Sequence, residues 1–185
     1  MKGRRFELSE AEWARLAPLL PRSGRGGQWR DHKQVLNGIC WRLRTGAPWR
    51  DVPARYGPWQ TLDERFSRWR ADGTWARLLD AVRTDAALAG LLDLDLFHVD
   101  SAWARARRVR ADLPRRKDQK PRGRPPCFDR EAYRRRPAIE RLIGRLKEWR
   151  AVGTRDEKLA VNYLAVVQVA LLRDFLRLLD SSDRA

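Results

Sequence analysis

Apolar side chains recur at three- and four-residue steps over most of this chain, the period of helices that bury one face. Ser9-Glu10-Ala11-Glu12 has the spacing of a capping box, and Trp13, Leu16, Ala17 and Leu20 follow until Pro21, which predicts a first helix over 10–20. Arg22-Ser23-Gly24-Arg25-Gly26-Gly27 reads as a basic turn. Asp31 with Gln34 can cap a second helix running to about Leu43, with Val35, Leu36, Ile39 and Leu43 inward, and Thr45-Gly46-Ala47-Pro48 ends it. A third helix follows Gly57-Pro58, where proline suits a first helical position, and Trp59, Leu62, Phe66 and Trp69 form its apolar stripe. Asp72-Gly73 breaks it, and Trp75, Leu78, Leu79 and Val82 mark a fourth.

The period then changes. Leu94-Asp95-Leu96-Phe97-His98-Val99-Asp100 is short, rich in apolar residues and closed by a carboxylate, as a strand would be. Trp103 to Pro126 reads as a basic linker or loop, with a brief strand around Val109 to Leu113. Asp129 caps a helical segment that Pro137 restarts or kinks and that ends near Trp149. Asp156 caps a long final helix whose apolar face runs from Leu159 to Leu179. No internal repeat is present in this pattern.

Charge narrows the class of partner. The 185 residues carry 40 Lys and Arg against 24 Asp and Glu, a net charge of +16 and a pI near 11.2. Half of that excess, +8, falls between Trp103 and Pro126. Such an excess predicts a polyanion, nucleic acid first and an anionic membrane second. A membrane span is not expected, because the longest apolar stretch, Leu159 to Leu172, contains Asn162 and Gln168 and is closed by Arg173 and Asp174. The start, Met1-Lys2-Gly3-Arg4-Arg5-Phe6, has no apolar region behind its charges, so the expected location is cytoplasmic, associated with the nucleoid. Cys40 and Cys127 read as free thiols, and His32 and His98 lack the neighbours of a zinc site, so a structural role is favoured for both.

Tyr133, Arg136, Glu140 and Lys147 fall within a sector of roughly 60° on a helical wheel. An acid that holds a metal beside bases that hold phosphates suits phosphodiester chemistry. The same spacing also describes a solvated amphipathic helix rich in Arg and Lys.

Two long stretches resemble one family. Trp41-Arg42-Leu43-Arg44-Thr45-Gly46-Ala47-Pro48-Trp49-Arg50-Asp51-Val52-Pro53, Tyr56-Gly57-Pro58-Trp59-Gln60-Thr61, Arg65-Phe66 and Arg68-Trp69 are similar to the amino-terminal domain of bacterial insertion-sequence transposases. These are of the DDE class, in the branch called the fourth and fifth insertion-sequence families. Tyr133, Arg136, Glu140 and Lys147 match that branch's carboxy-terminal Tyr-Arg-Glu-Lys signature without a gap. Gly123-Arg124-Pro125-Pro126 before it, and Thr154-Arg155, Lys158-Leu159-Ala160 and Asn162-Tyr163-Leu164-Ala165 after it, extend the likeness.

The resemblance implies a metal-dependent nuclease and strand transferase on a ribonuclease-H-like sheet, in which two Asp and one Glu hold two Mg²⁺ ions. Val99-Asp100-Ser101 fits the place of the first carboxylate, so Asp100 and Glu140 carry over as catalytic residues and metal ligands. Arg136 and Lys147 carry over as phosphate-clamping bases, and Tyr133 as their stacking or hydrogen-bonding companion. The partners implied are double-stranded DNA and terminal inverted repeats, with a homo-oligomer or a hetero-oligomer with an intact transposase left open. The stretch from Gly46 to Trp69 resembles a helix-turn-helix, whose second helix offers Gln60, Thr61, Arg65, Ser67 and Arg68 to bases or phosphates. On a small bundle the same positions are also ordinary solvated ones.

One departure matters. Only 39 residues separate Asp100 from Glu140, so the second Asp and the remaining central strands have no counterpart, as after an internal deletion. Asp112 does not align with that second Asp, and Asp118 is a charge in a basic loop. Losing one metal ligand costs about three orders of magnitude in rate, or about 4 kcal/mol of barrier. The expected architecture is therefore mainly α. It has an amino-terminal helical domain over 1–90, a first strand over 91–102, a basic linker over 103–128 and carboxy-terminal helices over 129–185. The ribonuclease-H-like part is reduced to one or two short strands, and helices from the two ends pack on each other. The function expected is that of a catalytically impaired transposase, with a DNA-binding repressor or a non-functional remnant as alternatives.

Overall fold

The computed structural model describes residues 6–21, 30–90, 141–154 and 157–182. Helix α1, Glu10–Leu16, starts at the predicted box: Ser9 Oγ accepts from Glu12 N–H at 3.1 Å, and Glu12 Oε2 accepts from Ser9 N–H at 2.7 Å. The helix stops short of residue 20, because Pro18 brings no N–H and Ala17–Leu19 tightens into a 3₁₀ turn. Helix α2, His32–Thr45, is capped by Asp31, which accepts from Lys33 N–H at 3.0 Å, and buries Val35, Leu36, Ile39, Cys40 and Leu43. It ends at Gly46 with φ 68°, where a Cβ would also stand 2.9 Å from that of Arg150.

Residues 46–58 carry two 3₁₀ turns, Trp49–Asp51 and Ala54–Tyr56, and lead to α3, Trp59–Ala71. Pro58 is extended and precedes the helix, one place earlier than its expected first position. After Asp72-Gly73, helix α4 covers Thr74–Leu88, and Asp72 Oδ1 accepts from both Thr74 N–H at 2.9 Å and its hydroxyl at 2.6 Å. Trp69 and Trp75 meet edge to face at 5.1 Å, and Trp75 Nε1 donates to Phe66 O, so the α3–α4 corner has its own aromatic core.

Residues 141–147 are helical. Two further helices follow, α5 (Arg150–Gly153) and α6 (Ala160–Ser182). Every residue from Val169 to Leu176 is buried, so this part of α6 is enclosed on all sides, and α4 is the helix's main neighbour. The buried stretch of α6 begins at Ala165; Leu159, the expected start of the apolar face, is more than half exposed, as are Val161 and Leu164. Within the enclosed run, Arg173 forms an ion pair with Glu12 at 2.7 Å, and Asp174 accepts from Arg145 Nε at 2.6 Å.

The described residues 6–90 and 145–182 belong to one compact unit, and 141–144 belong to a second. Helices from the two ends of the chain thus pack together. The described residues contain no strand, and the protein is mainly α. The strands expected at 94–100 and 109–113, the linker at 103–128 and the Asp156 cap lie outside the described residues.

Candidate nucleic-acid interface

Helix α3 has two unlike sides. Leu62, Phe66 and Trp69 are at most 3% exposed, while Gln60, Glu64 and Arg68 are exposed and Thr61 and Ser67 are half-buried. Of the five polar positions expected to face outward, four lie at least partly in solvent. Arg65 does not: it is buried at 7% exposure, its guanidinium stacks on the Trp69 ring at 5.4 Å, and Nη1 stands 2.9 Å from His32 Nδ1. It holds the fold together where it was expected to hold DNA.

That contact fixes the histidine tautomer. A guanidinium has only donors, so Nδ1 accepts, and Nε2 carries the proton and donates to Pro21 O at 2.9 Å. Burial lowers the His32 pKa; the Pro21 bond raises it, Arg65 lowers it and Asp31 raises it. Each ring nitrogen of His32 thus has a partner within the protein.

Two residues on or beside α3 were not anticipated. Arg50 is exposed and lies over the Trp59 ring at 5.6 Å, which sets a cation and an aromatic surface next to Gln60. Glu64 is an acid in the middle of the outward stripe, one helical turn from Gln60 and one from Arg68. The stripe therefore offers an amide, a carboxylate and a guanidinium, the groups that pair with base edges, more than it offers bare positive charge.

Several other arginines lie over aromatic rings of the protein itself. Arg42 lies over Trp49 at 4.9 Å, Arg44 over both Phe6 and Trp149 at 5.6 Å, and Arg55 over Tyr56 at 4.5 Å. Part of the +16 is thus structural. A polar cleft of about 430 Å³, lined by Glu7, Asp31, Lys33, Gln34, Asn37, Arg55 and Tyr56, lies off α3. Its side chains serve one another and the entering chain: Tyr56 donates to Glu7 at 3.0 Å, Gln34 to Arg55 O at 2.7 Å, and Asn37 accepts from Leu8 N–H at 2.9 Å.

Lys147 is exposed. Asp100, Tyr133, Arg136 and Glu140 lie outside the described residues. Among the described residues no group of His, Cys, Asp and Glu could hold a metal ion. Cys40 is buried, which pushes its thiol up to about 11 and makes it unreactive; Cys127 and His98 lie outside the described residues. No described helix is long and apolar enough to cross a membrane.

The family described as "Putative transposase of IS4/5 family" matches residues 8–79, from the entry to α1 through the first turns of α4. The uncharacterised protein y4sN of Sinorhizobium fredii is 30% identical over 112 residues, which are 60% of this chain and 85% of that protein. An uncharacterised 16.2 kDa protein of insertion element IS402 from Burkholderia cepacia is 33% identical over 107 residues, 54% of this chain and 73% of that protein. No solved structure matches. These likenesses put the helical unit among proteins of bacterial insertion elements. The chain belongs to the IS4/5 transposase family, and its role is related to transposition.

Proposed function

We propose that the helical unit binds double-stranded DNA at the terminal inverted repeats of an insertion element, through the outward side of α3, and that the chain does not cut those ends by itself. The observation that carries this reading is that the family match, residues 8–79, falls on the unit that turns Gln60, Thr61 and Arg68 outward. In this reading α2 and α3 act as a stretched helix-turn-helix. Residues 46–58 replace the usual turn of about three or four residues, and α3 is the helix that enters the major groove.

Phosphate contacts come from the flanking bases, Lys147 and Arg50 among them, and hydrogen bonds from Gln60 and Arg68 select the sequence. Asp100 and Glu140 supply two carboxylates where the family's ribonuclease-H-like site uses three to hold Mg²⁺, so the chain is impaired in strand cleavage. Its place of action is the nucleoid. The test is a binding titration on DNA carrying the repeats against scrambled DNA, with a nicking assay in Mg²⁺ or Mn²⁺ alongside. Preference for the repeats without a specific nick supports the reading, whereas robust cleavage abolished by Glu140→Ala refutes the impairment.

A second reading follows from the size of the relatives. The IS402 protein, at 16.2 kDa, is smaller than this chain at 21.6 kDa, so short members of the family occur in insertion elements. A short member that occupies the repeats without cutting represses an intact copy. Co-expression with an active element should lower its transposition frequency, and an unchanged frequency removes this role.

A further inference from the structure

Glu157, just before α6, has both carboxylate oxygens in use. Oε1 lies 3.5 Å from Arg42 Nη1, and Oε2 accepts from Asn162 Nδ2 at 3.1 Å. Each contact leads to α3 by a separate route. Arg42 lies over Trp49, whose ring meets Phe66 of α3 at 5.8 Å. Asn162 in turn accepts from Arg70, near the end of α3. Asp63, also on α3, is electrostatically coupled to Arg42, Glu157, Arg70 and Glu64. Glu157 is only 19% exposed and Arg42 14%, so this is not a loose surface pair.

We infer that Glu157 is a positioning residue for α3, holding it through Arg42 and Trp49 at one point and through Asn162 and Arg70 at another. The carboxy-terminal segment thereby sets the angle at which Gln60, Thr61 and Arg68 meet DNA. This rests on the proposed role of α3 in DNA binding. The family match stops at residue 79 and does not include Glu157 or Asn162, so the control comes from outside the matched region.

The test uses the full chain and compares its affinity for repeat-bearing and scrambled duplexes. Glu157→Ala, which loses both routes, should lower that ratio about tenfold, the effect of one lost charge-assisted contact. Glu157→Gln keeps an oxygen that can accept from Asn162, so it should recover part of the ratio. Glu148→Ala removes a pair with Arg44 that does not reach α3 and should leave the ratio unchanged. If the parent chain prefers the repeats and Glu157→Ala keeps that preference, the positioning role is wrong. If Glu157→Gln falls as far as Glu157→Ala, the two-route arrangement is wrong. A parent chain that does not distinguish the two duplexes overturns the role of α3 itself.

Discussion

Glu12, in the first turn of α1, faces Arg173 of α6 across 2.7 Å, with the two side chains only 5% and 3% exposed. The same Glu12 oxygen completes the α1 capping box, and Arg173 Nη2 also donates to Glu7 O at 3.3 Å. One buried pair thus joins the start of the chain to its final helix. Removing one partner strands the other charge, so Arg173→Met should destabilise the protein by about 3–5 kcal/mol in urea unfolding. Replacing both by apolar residues should cost less than either single change, and a single change costing under about 1 kcal/mol would contradict the arrangement.

His32 predicts a pH dependence. Its pKa is lowered in the folded protein, mainly by burial, so the unfolded chain binds the proton first. Stability from this site is complete above about pH 6.5 and is lost as the pH falls below that value toward the folded pKa. The urea midpoint should drop between about pH 7 and pH 5.5, and His32→Gln should show a shallower drop. Equal slopes would mean that other groups govern the acid limb.

Gly46 and Gly73 have nearly the same backbone, φ 68° and 73°, but different surroundings. Gly73→Ala meets nothing closer than Arg77 Nη1 at 3.7 Å and should cost only the strain of a left-handed alanine, about 1 kcal/mol. Gly46→Ala adds an overlap with Arg150 Cβ and should cost more, about 2–3 kcal/mol. Thermal unfolding of the two variants decides it, and equal losses would show that Arg150 moves aside freely.

Arg65 and Arg68 should separate stability from binding. Arg65→Met loses the stack on Trp69 and leaves His32 Nδ1 without its donor, so it should lower the melting temperature by several degrees. Arg68→Ala lies on the exposed side and should lower the melting temperature less than Arg65→Met does while weakening DNA binding. The opposite pattern would exchange their roles.

The amino-terminal helices were legible because capping residues and apolar period agreed at Ser9, Asp31, Gly46 and Gly73. Arg65 was misplaced although its period was right. Leu62, Arg65, Phe66 and Trp69 follow the i, i+3, i+4, i+7 pattern of a core face, and its charge outweighed that spacing. A long aliphatic stem, a ring to cover and a histidine acceptor make the burial tolerable. Arg173 and Asp174 show the same effect in α6, where they closed an apolar run on paper and sit inside the bundle in space. Packing of helices from the two ends was expected from the missing central strands, but no local pattern in α6 names α4 as its main neighbour. Glu64 was passed over for another reason: an acid does not suggest DNA binding until the exposed side of α3 is known.

Fluorescence anisotropy of the full chain on labelled duplexes, one carrying the inverted repeats that flank its gene and one scrambled, across a series of salt concentrations, decides whether α3 reads the repeats. The account predicts tighter binding to the repeats, a log–log salt slope of about −0.9 per phosphate contacted, and a loss of preference in Arg68→Ala. Equal affinity for both duplexes, unaltered by changes at Gln60 and Arg68, would contradict it.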